Sequence, residues 1–139
     1  MKVQPKLSLK RRATILCFRG CKILLVKRKN AKWNLPGGRI KEAEIPSDAA
    51  IREFREETAL ELSNLRAMGN VDVSKTRHHV FVAYVPGTFE ALASNEITDC
   101  RWVSHEELST LRVKNSAVRV AMDFGGNTQN TMRLLFQGG

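Results

Sequence analysis

Three glutamates constrain this chain more than any other feature. Glu53, Glu56 and Glu57 lie inside the run Arg52-Glu53-Phe54-Arg55-Glu56-Glu57, and at that spacing a helix stacks their carboxylates along one side. Like charges so placed oppose a helix by roughly a few tenths of a kcal/mol per pair. A cation relieves that cost, and carboxylate oxygens are the ligands that hard divalent ions such as Mg²⁺ prefer. The same segment carries an apolar stripe, Ala50, Ile51, Phe54 and Thr58, at helical periodicity. At about 100° per residue the acids centre about 120° away from that stripe. A helix over residues 47–59 can therefore bury Phe54 in a core and present its acids to a cleft. Pro46 marks its start, with Ser47 placed to cap it and Asp48 suited to the positive end of the dipole. Most acidic runs on helices are solvated faces, so the residues upstream decide between the two readings.

Gly37 and Gly38 end the stretch Trp33-Asn34-Leu35-Pro36. Glu44 follows Gly38 after five intervening residues, Arg52 after seven more, and Glu53 at once. The diglycine permits an unusual turn, close enough for a carbonyl of Gly37 or Gly38 to join a coordination shell. Arg52 can hold Glu53 or Glu44 in one rotamer through a forked hydrogen bond. In this register the segment from Gly38 to Leu60 resembles the Nudix box, Gly-x5-Glu-x7-Arg-Glu-U-x-Glu-Glu-x-Gly-U with U apolar. One position departs from it: Ala59 stands for the final glycine. A glycine there leaves the helix in the left-handed conformation, where a Cβ costs about 1 kcal/mol. The substitution puts the helix exit in question and removes no proposed ligand. The stretch Arg101-Trp102-Val103-Ser104-His105-Glu106-Glu107-Leu108 is also similar to the family's closing strand-to-helix segment.

The resemblance implies a MutT-like hydrolase that uses Mg²⁺, or Mn²⁺ in its place, to cleave the pyrophosphate linkage of a nucleoside diphosphate joined to some group X. Glu53, Glu56 and Glu57, with the carbonyl of Gly37 or Gly38, would hold the metal. Glu53 would take the proton from the attacking water, Arg52 would orient it, and Glu44 would support the site or a second metal. Some relatives complete the site with an acid from outside the box; Glu96 is best placed for that here, with Asp99 second. Arg28 and Trp33 would contact substrate, although packing in the core competes with base stacking for Trp33, and Trp102 reads as core. A nucleoside triphosphate suits so compact a chain; ADP-ribose, dinucleoside polyphosphates and a triphosphorylated RNA 5′ end stay open. The alternative in another class is a Nudix-like module that senses a nucleotide without hydrolysing it. Homodimers are common in the family.

Composition agrees with a globular enzyme. The chain has 139 residues, 42% of them hydrophobic, enough for one domain around one core. There is no apolar run of membrane-spanning length and no signal-peptide pattern, which predicts no membrane association and a cytoplasmic location. Cys17, Cys21 and Cys100 lack Cys-x-x-Cys spacing, which disfavours zinc and fits reduced thiols. Charge is uneven: 13 of the 23 basic residues fall by Lys41, and all 14 acids lie from Glu42 onward. Lys10-Arg11-Arg12 and Lys27-Arg28-Lys29 read either as solvated strand edges or as an approach surface for a polyanion. Aromatics are not interleaved with these clusters, which argues against a single-strand stacking platform.

Residues 1–9 read as a lead-in. Thr14–Phe18 and Ile23–Val26 form a hairpin around Arg19-Gly20, and further strands cover Leu65–Val73, His79–Val85 and Cys100–Val103. Ser104 and Glu107 make a capping box, and a last helix over 115–124 stops at Gly125-Gly126. His78 and His79 point to opposite faces of a strand, so at most one can face a cleft. Residues 135–139, Leu-Phe-Gln-Gly-Gly, partly resemble a protease-recognition remnant and carry no functional weight. Pattern alone gives a mixture of α and β; the resemblance makes it an α/β fold, a Nudix-type α/β/α sandwich around a mixed sheet.

Overall fold

The structure, a computed structural model, describes residues 9–126. The expectations for residues 1–8 and 135–139 lie outside the described residues.

β1 (Lys10–Arg19) is the central strand. Its alternate residues Ala13, Ile15 and Cys17 face one side, Thr14, Leu16 and Phe18 the other, and all six are buried, as a strand covered on both faces requires. Gly20, at φ +61°, turns the chain into β2 (Lys22–Arg28). β3 (Gly37–Arg39), β4 (Arg66–Val73), β5 (Thr76–Tyr84) and β6 (Ile97–Val103) complete a mixed sheet of order β4-β5-β1-β2-β6, with β3 pairing β1. β1 and β5 run parallel from Lys10↔Thr76 to Phe18↔Tyr84; the other pairings are antiparallel. β4 and β5 are joined by Ser74 and Lys75, at φ 48° and 66°, the left-handed pair that a tight hairpin requires.

One local feature of the sheet positions the site. β1 meets β2 at Phe18↔Ile23 and Arg19↔Lys22, but between Arg12 and Thr14 its partner is β3. The two central strands part there, and a cleft opens in the gap.

α1 (Pro46–Thr58) covers one face, packing Ala49, Ala50 and Phe54 on Ala13, Ile15, Cys17 and Phe81. Burying Phe54 completely contributes about 2–3 kcal/mol. α2 (Asn115–Val120) covers the other face, with Ala117 and Val120 against Leu16, Leu25, Val82 and Val103. The result is the expected α/β/α layering.

The ends of the helices differ from the sequence reading. Pro46 is the first helical residue and Ile45 the N-cap, with no side-chain capping bond; Ser47 lies inside the helix, because a proline's missing N–H is best tolerated in the first turn. At the other end Ala59 takes the left-handed conformation itself, at φ 62° and ψ 19°, and its N–H reaches Arg55 O at 2.9 Å. The exit path is retained despite the Cβ. Ser104 and Glu107 do exchange hydrogen bonds, at 3.1 and 3.3 Å, but they open a single 3₁₀ turn, Glu106–Ser109. α2 widens into a π-type turn over Ala121–Gly125, and Gly126 stays right-handed at φ −62°. The paired glycines therefore do not end it.

Candidate active site

Glycine geometry sets the site. Gly37 has φ +142°, and a Cβ on it would collide with the Ala13 carbonyl of the neighbouring strand. A Cβ on Gly38 would instead occupy the space of the Glu53 carboxylate. Both positions need glycine because a strand and an acid crowd them. The Gly37 N–H donates to Glu57 Oε1 at 2.7 Å, so the turn and the helix are tied through the acid itself.

Glu57 is 5% exposed. It lies three residues after Phe54, at the edge of the buried stripe rather than squarely opposite it. Burial raises its carboxyl to about 7; the Gly37 N–H and the Arg12 and Arg28 charges pull the other way, while Glu53 adds to the rise. An acid so placed gains most from a nearby cation.

Arg52 gathers the remaining acids. Its Nε and Nη2 fork onto Glu44 at 2.9 and 3.0 Å. Nη1 reaches Glu53 at 2.9 Å and Glu56 at 3.5 Å, and Nη2 also donates to Arg39 O at 3.2 Å. Glu44 in turn accepts the Lys41 N–H at 2.9 Å, and the Arg52 bonds followed by the Lys41 N–H hold its carboxyl down at about 2. Glu44 is thus a fixed anion that braces Arg52, as its fork geometry predicted.

The cleft, about 140 Å³, is lined by Arg12, Arg28, Lys32, Lys114, Gly37 and Glu57 among others. It joins one buried acid to four cations drawn from separate elements. Glu96 and Arg28 pair at its mouth at 3.0 Å, both largely exposed. The loop carrying Glu96 is anchored: Leu92 and Ser94 donate N–H bonds to Thr58 O and Glu57 O, each at 3.1 Å, satisfying carbonyls that the end of α1 leaves open. Asp99 sits opposite Lys27 in the β2–β6 ladder and does not line the cleft. Trp33 lines an adjoining hollow with Lys27, Lys32 and Arg112. Its ring packs partly on the core and lies 5.9 Å from Lys27 Nζ. Trp102 packs on the α1 side of the sheet with Arg19 over its ring at 4.4 Å.

Sequence reasoning missed Arg12 as a site residue. It is the charged first member of the face that continues through Thr14, Leu16 and Phe18, and that break in an apolar series was the available signal. His78 stands behind it, 5% exposed, with Nδ1 2.8 Å from Thr14 Oγ1. His79, on the opposite face, has a buried Nε2 without a partner among the described residues.

Among the described residues, no three acids, histidines or cysteines are drawn together as a metal cluster; Glu53 and Glu56 lean on Arg52 and Glu57 on Gly37. The donor set nevertheless fits a hard divalent ion: it consists of carboxylate and carbonyl oxygens, and glycine at position 38 leaves room for the Glu53 carboxylate beside the diglycine backbone.

The family model of the NUDIX domain matches residues 9–124. The chain belongs to that family. A Bacillus subtilis (strain 168) protein provisionally named as an 8-oxo-dGTP diphosphatase is 33% identical over 111 residues, 78% of this chain and 74% of that protein. Bovine diphosphoinositol polyphosphate phosphohydrolase 3-beta is 36% identical over 88 residues, 60% of this chain and 54% of its own length. Of the solved structures, one provisionally assigned to the nudix hydrolase family, from Chromobacterium violaceum, superposes with a TM-score of 0.79. It is 22% identical, and the match covers 97% of this chain and 92% of that one. No described helix is long and apolar enough to cross a membrane.

Proposed function

We propose that this Nudix hydrolase cleaves the phosphoric anhydride of a nucleoside diphosphate derivative, a nucleoside triphosphate first among them, with Mg²⁺ as its cofactor. The observation that carries the reading is the position of Glu57: it is buried beneath Gly37 at the foot of a cleft walled by Arg12, Arg28, Lys32 and Lys114. The relatives' names, a diphosphatase and a phosphohydrolase, point the same way.

Attack on an anhydride is costly because a water must approach a polyanion. The four cleft cations lower that cost by binding phosphate oxygens and fixing the chain of phosphates against α1. Glu53, Glu56 and Glu57, with a carbonyl of Gly37 or Gly38, would hold Mg²⁺, which when bound neutralises phosphate charge and acidifies a water. Glu53 accepts the proton of the attacking water. Arg52 holds Glu53 in one rotamer at 2.9 Å, and Glu44, anionic throughout the neutral range, keeps Arg52 from swinging away. Arg28 and Glu96 exchange partners at the mouth when a phosphate enters, and Trp33 offers a ring face to a base beside it.

Phosphate or pyrophosphate release from a nucleotide panel with Mg²⁺ tests the reading. Glu53→Gln is expected to lose about 10² to 10⁴-fold in turnover, and Glu57→Gln a loss of similar order while remaining folded. Near-normal turnover by either purified variant refutes its assignment. Tight nucleotide binding with no release by the wild type would make the domain a sensor instead.

A further inference from the structure

The cleft contains a cation that the metal site does not use. Arg12 is half-buried and forms no ion pair among the described residues, whereas Arg28 already holds Glu96. A desolvated guanidinium without a bonded anion is costly. Its position is nonetheless fixed on two sides. Nη2 donates to Leu35 O at 2.8 Å, and Nε donates to Thr14 Oγ1 at 3.2 Å.

Donor bookkeeping fixes the direction of the next bond. A guanidinium nitrogen only donates, so Thr14 Oγ1 is the acceptor for Arg12. The threonine proton is then free for His78 Nδ1, 2.8 Å away, which must accept and so carries its own proton on Nε2. Burial and the Arg12 charge lower the His78 pKa to about 4, in keeping with a neutral acceptor. Thr14 is 1% and His78 5% exposed; neither can touch a ligand in the cleft except through Arg12. Two of the five guanidinium N–H groups are committed, leaving three for a ligand.

We propose that Arg12 is the principal anion-binding residue of the cleft, gripping a phosphoryl group by its planar fork, and that Thr14 and His78 are positioning residues that aim it. The proposal deepens the hydrolase reading and rests on the cleft being the substrate site. Phosphate oxygens match the fork in spacing and charge, and the neighbouring Lys32 and Lys114 extend the same preference.

Calorimetric titration of the full chain with inorganic pyrophosphate in Mg²⁺ tests this apart from catalysis. Arg12→Gln is expected to weaken binding about 30-fold, and Arg12→Lys, which keeps the charge and loses the fork, about tenfold. Thr14→Val is expected to weaken binding about fivefold, and Thr14→Ser, which keeps the hydroxyl, to restore it within about twofold. In turnover, Thr14→Val should raise KM with little change in kcat, a split that general destabilisation does not produce. Wild-type affinity in either folded Arg12 variant overturns the anion site, and equal affinities for Thr14→Val and Thr14→Ser overturn the positioning role. If Arg12→Gln does not fold, Arg12→Lys decides. A wild type that binds pyrophosphate in this Arg12-dependent way but hydrolyses no nucleotide supports the anion site while refuting the enzymatic reading. No binding by the wild type sinks the proposal.

Discussion

His78 and Glu57 are both buried ionisable groups, and burial pushes them in opposite directions along the pH scale. The histidine falls from 6.5 to about 4; the glutamate rises from 4.5 to about 7. Each departure is a stability statement. The folded state binds fewer protons at His78 than the unfolded chain between about pH 4 and 6.5, so that contribution is complete above about 6.5 and is lost as pH falls. At Glu57 the folded state binds more protons between about pH 4.5 and 7, so its contribution is present at low pH and is lost as pH rises. Each is worth up to about 3 kcal/mol at about 1.4 kcal/mol per unit, and within their shared window they oppose. Urea unfolding of the metal-free protein should therefore vary little between pH 4.5 and 6.5. Glu57→Gln removes one arm, and its stability should rise with pH; His78→Asn, which keeps an acceptor for Thr14, removes the other, and its stability should fall with pH. Parallel pH profiles for the two variants would contradict the opposed burial of these groups. At this scale the sequence was legible where chemistry repeats at fixed spacing, as in Arg52, Glu53, Glu56 and Glu57. It was silent on Arg12, whose role depends on Leu35 and His78, residues that only the β1–β3 and β1–β5 pairings bring to it.

α1 shows what periodicity reveals of an element and what it leaves out. The apolar stripe located the helix and the face that buries Phe54, because both follow from a turn of 3.6 residues. The ends moved by one residue, since Pro46 could enter the first turn and the C-terminal carbonyls found partners elsewhere. Those partners, Leu92 and Ser94, belong to a loop with no pattern of its own, so nothing in the order of residues announced it. Ala59 is the exposed weak point: a Cβ in the left-handed region at φ 62° costs about 1–2 kcal/mol, part of which a glycine would give back as unfolded-state entropy. Ala59→Gly is therefore expected to stabilise the protein by about 0.5–1 kcal/mol, raising the Tm by about 3 °C, with turnover unchanged. A lower Tm in calorimetry would mean that the exit is not left-handed in solution.

Across the whole molecule, the order β4-β5-β1-β2-β6 was not written in any local pattern, because the parallel β1–β5 pairing joins segments some sixty residues apart. What the sequence did show was the charge: net +9, with the N-terminal third free of acids. The fold gives part of that excess a place, since Arg12, Arg28 and Lys32 from this third meet Lys114 from the start of α2 around one cleft. Three of these four are exposed and one is half-buried, so salt should act on them unequally. Screening lengths fall from about 10 Å at 0.1 M salt to about 3 Å at 1 M, which weakens contacts made by Arg28, Lys32 and Lys114 but reaches Arg12 poorly. With each exposed contact worth about 0.5 kcal/mol, losing three raises KM for a nucleoside triphosphate roughly tenfold. The kcat, set by groups beneath Gly37, should stay within about twofold. Initial rates at rising KCl and fixed Mg²⁺ measure both. A triphosphorylated RNA bound along the same basic surface would release more counterions and give a steeper slope, so comparing the two slopes decides between a mononucleotide and an RNA end. A KM indifferent to salt would mean that the exposed cations do not meet the substrate.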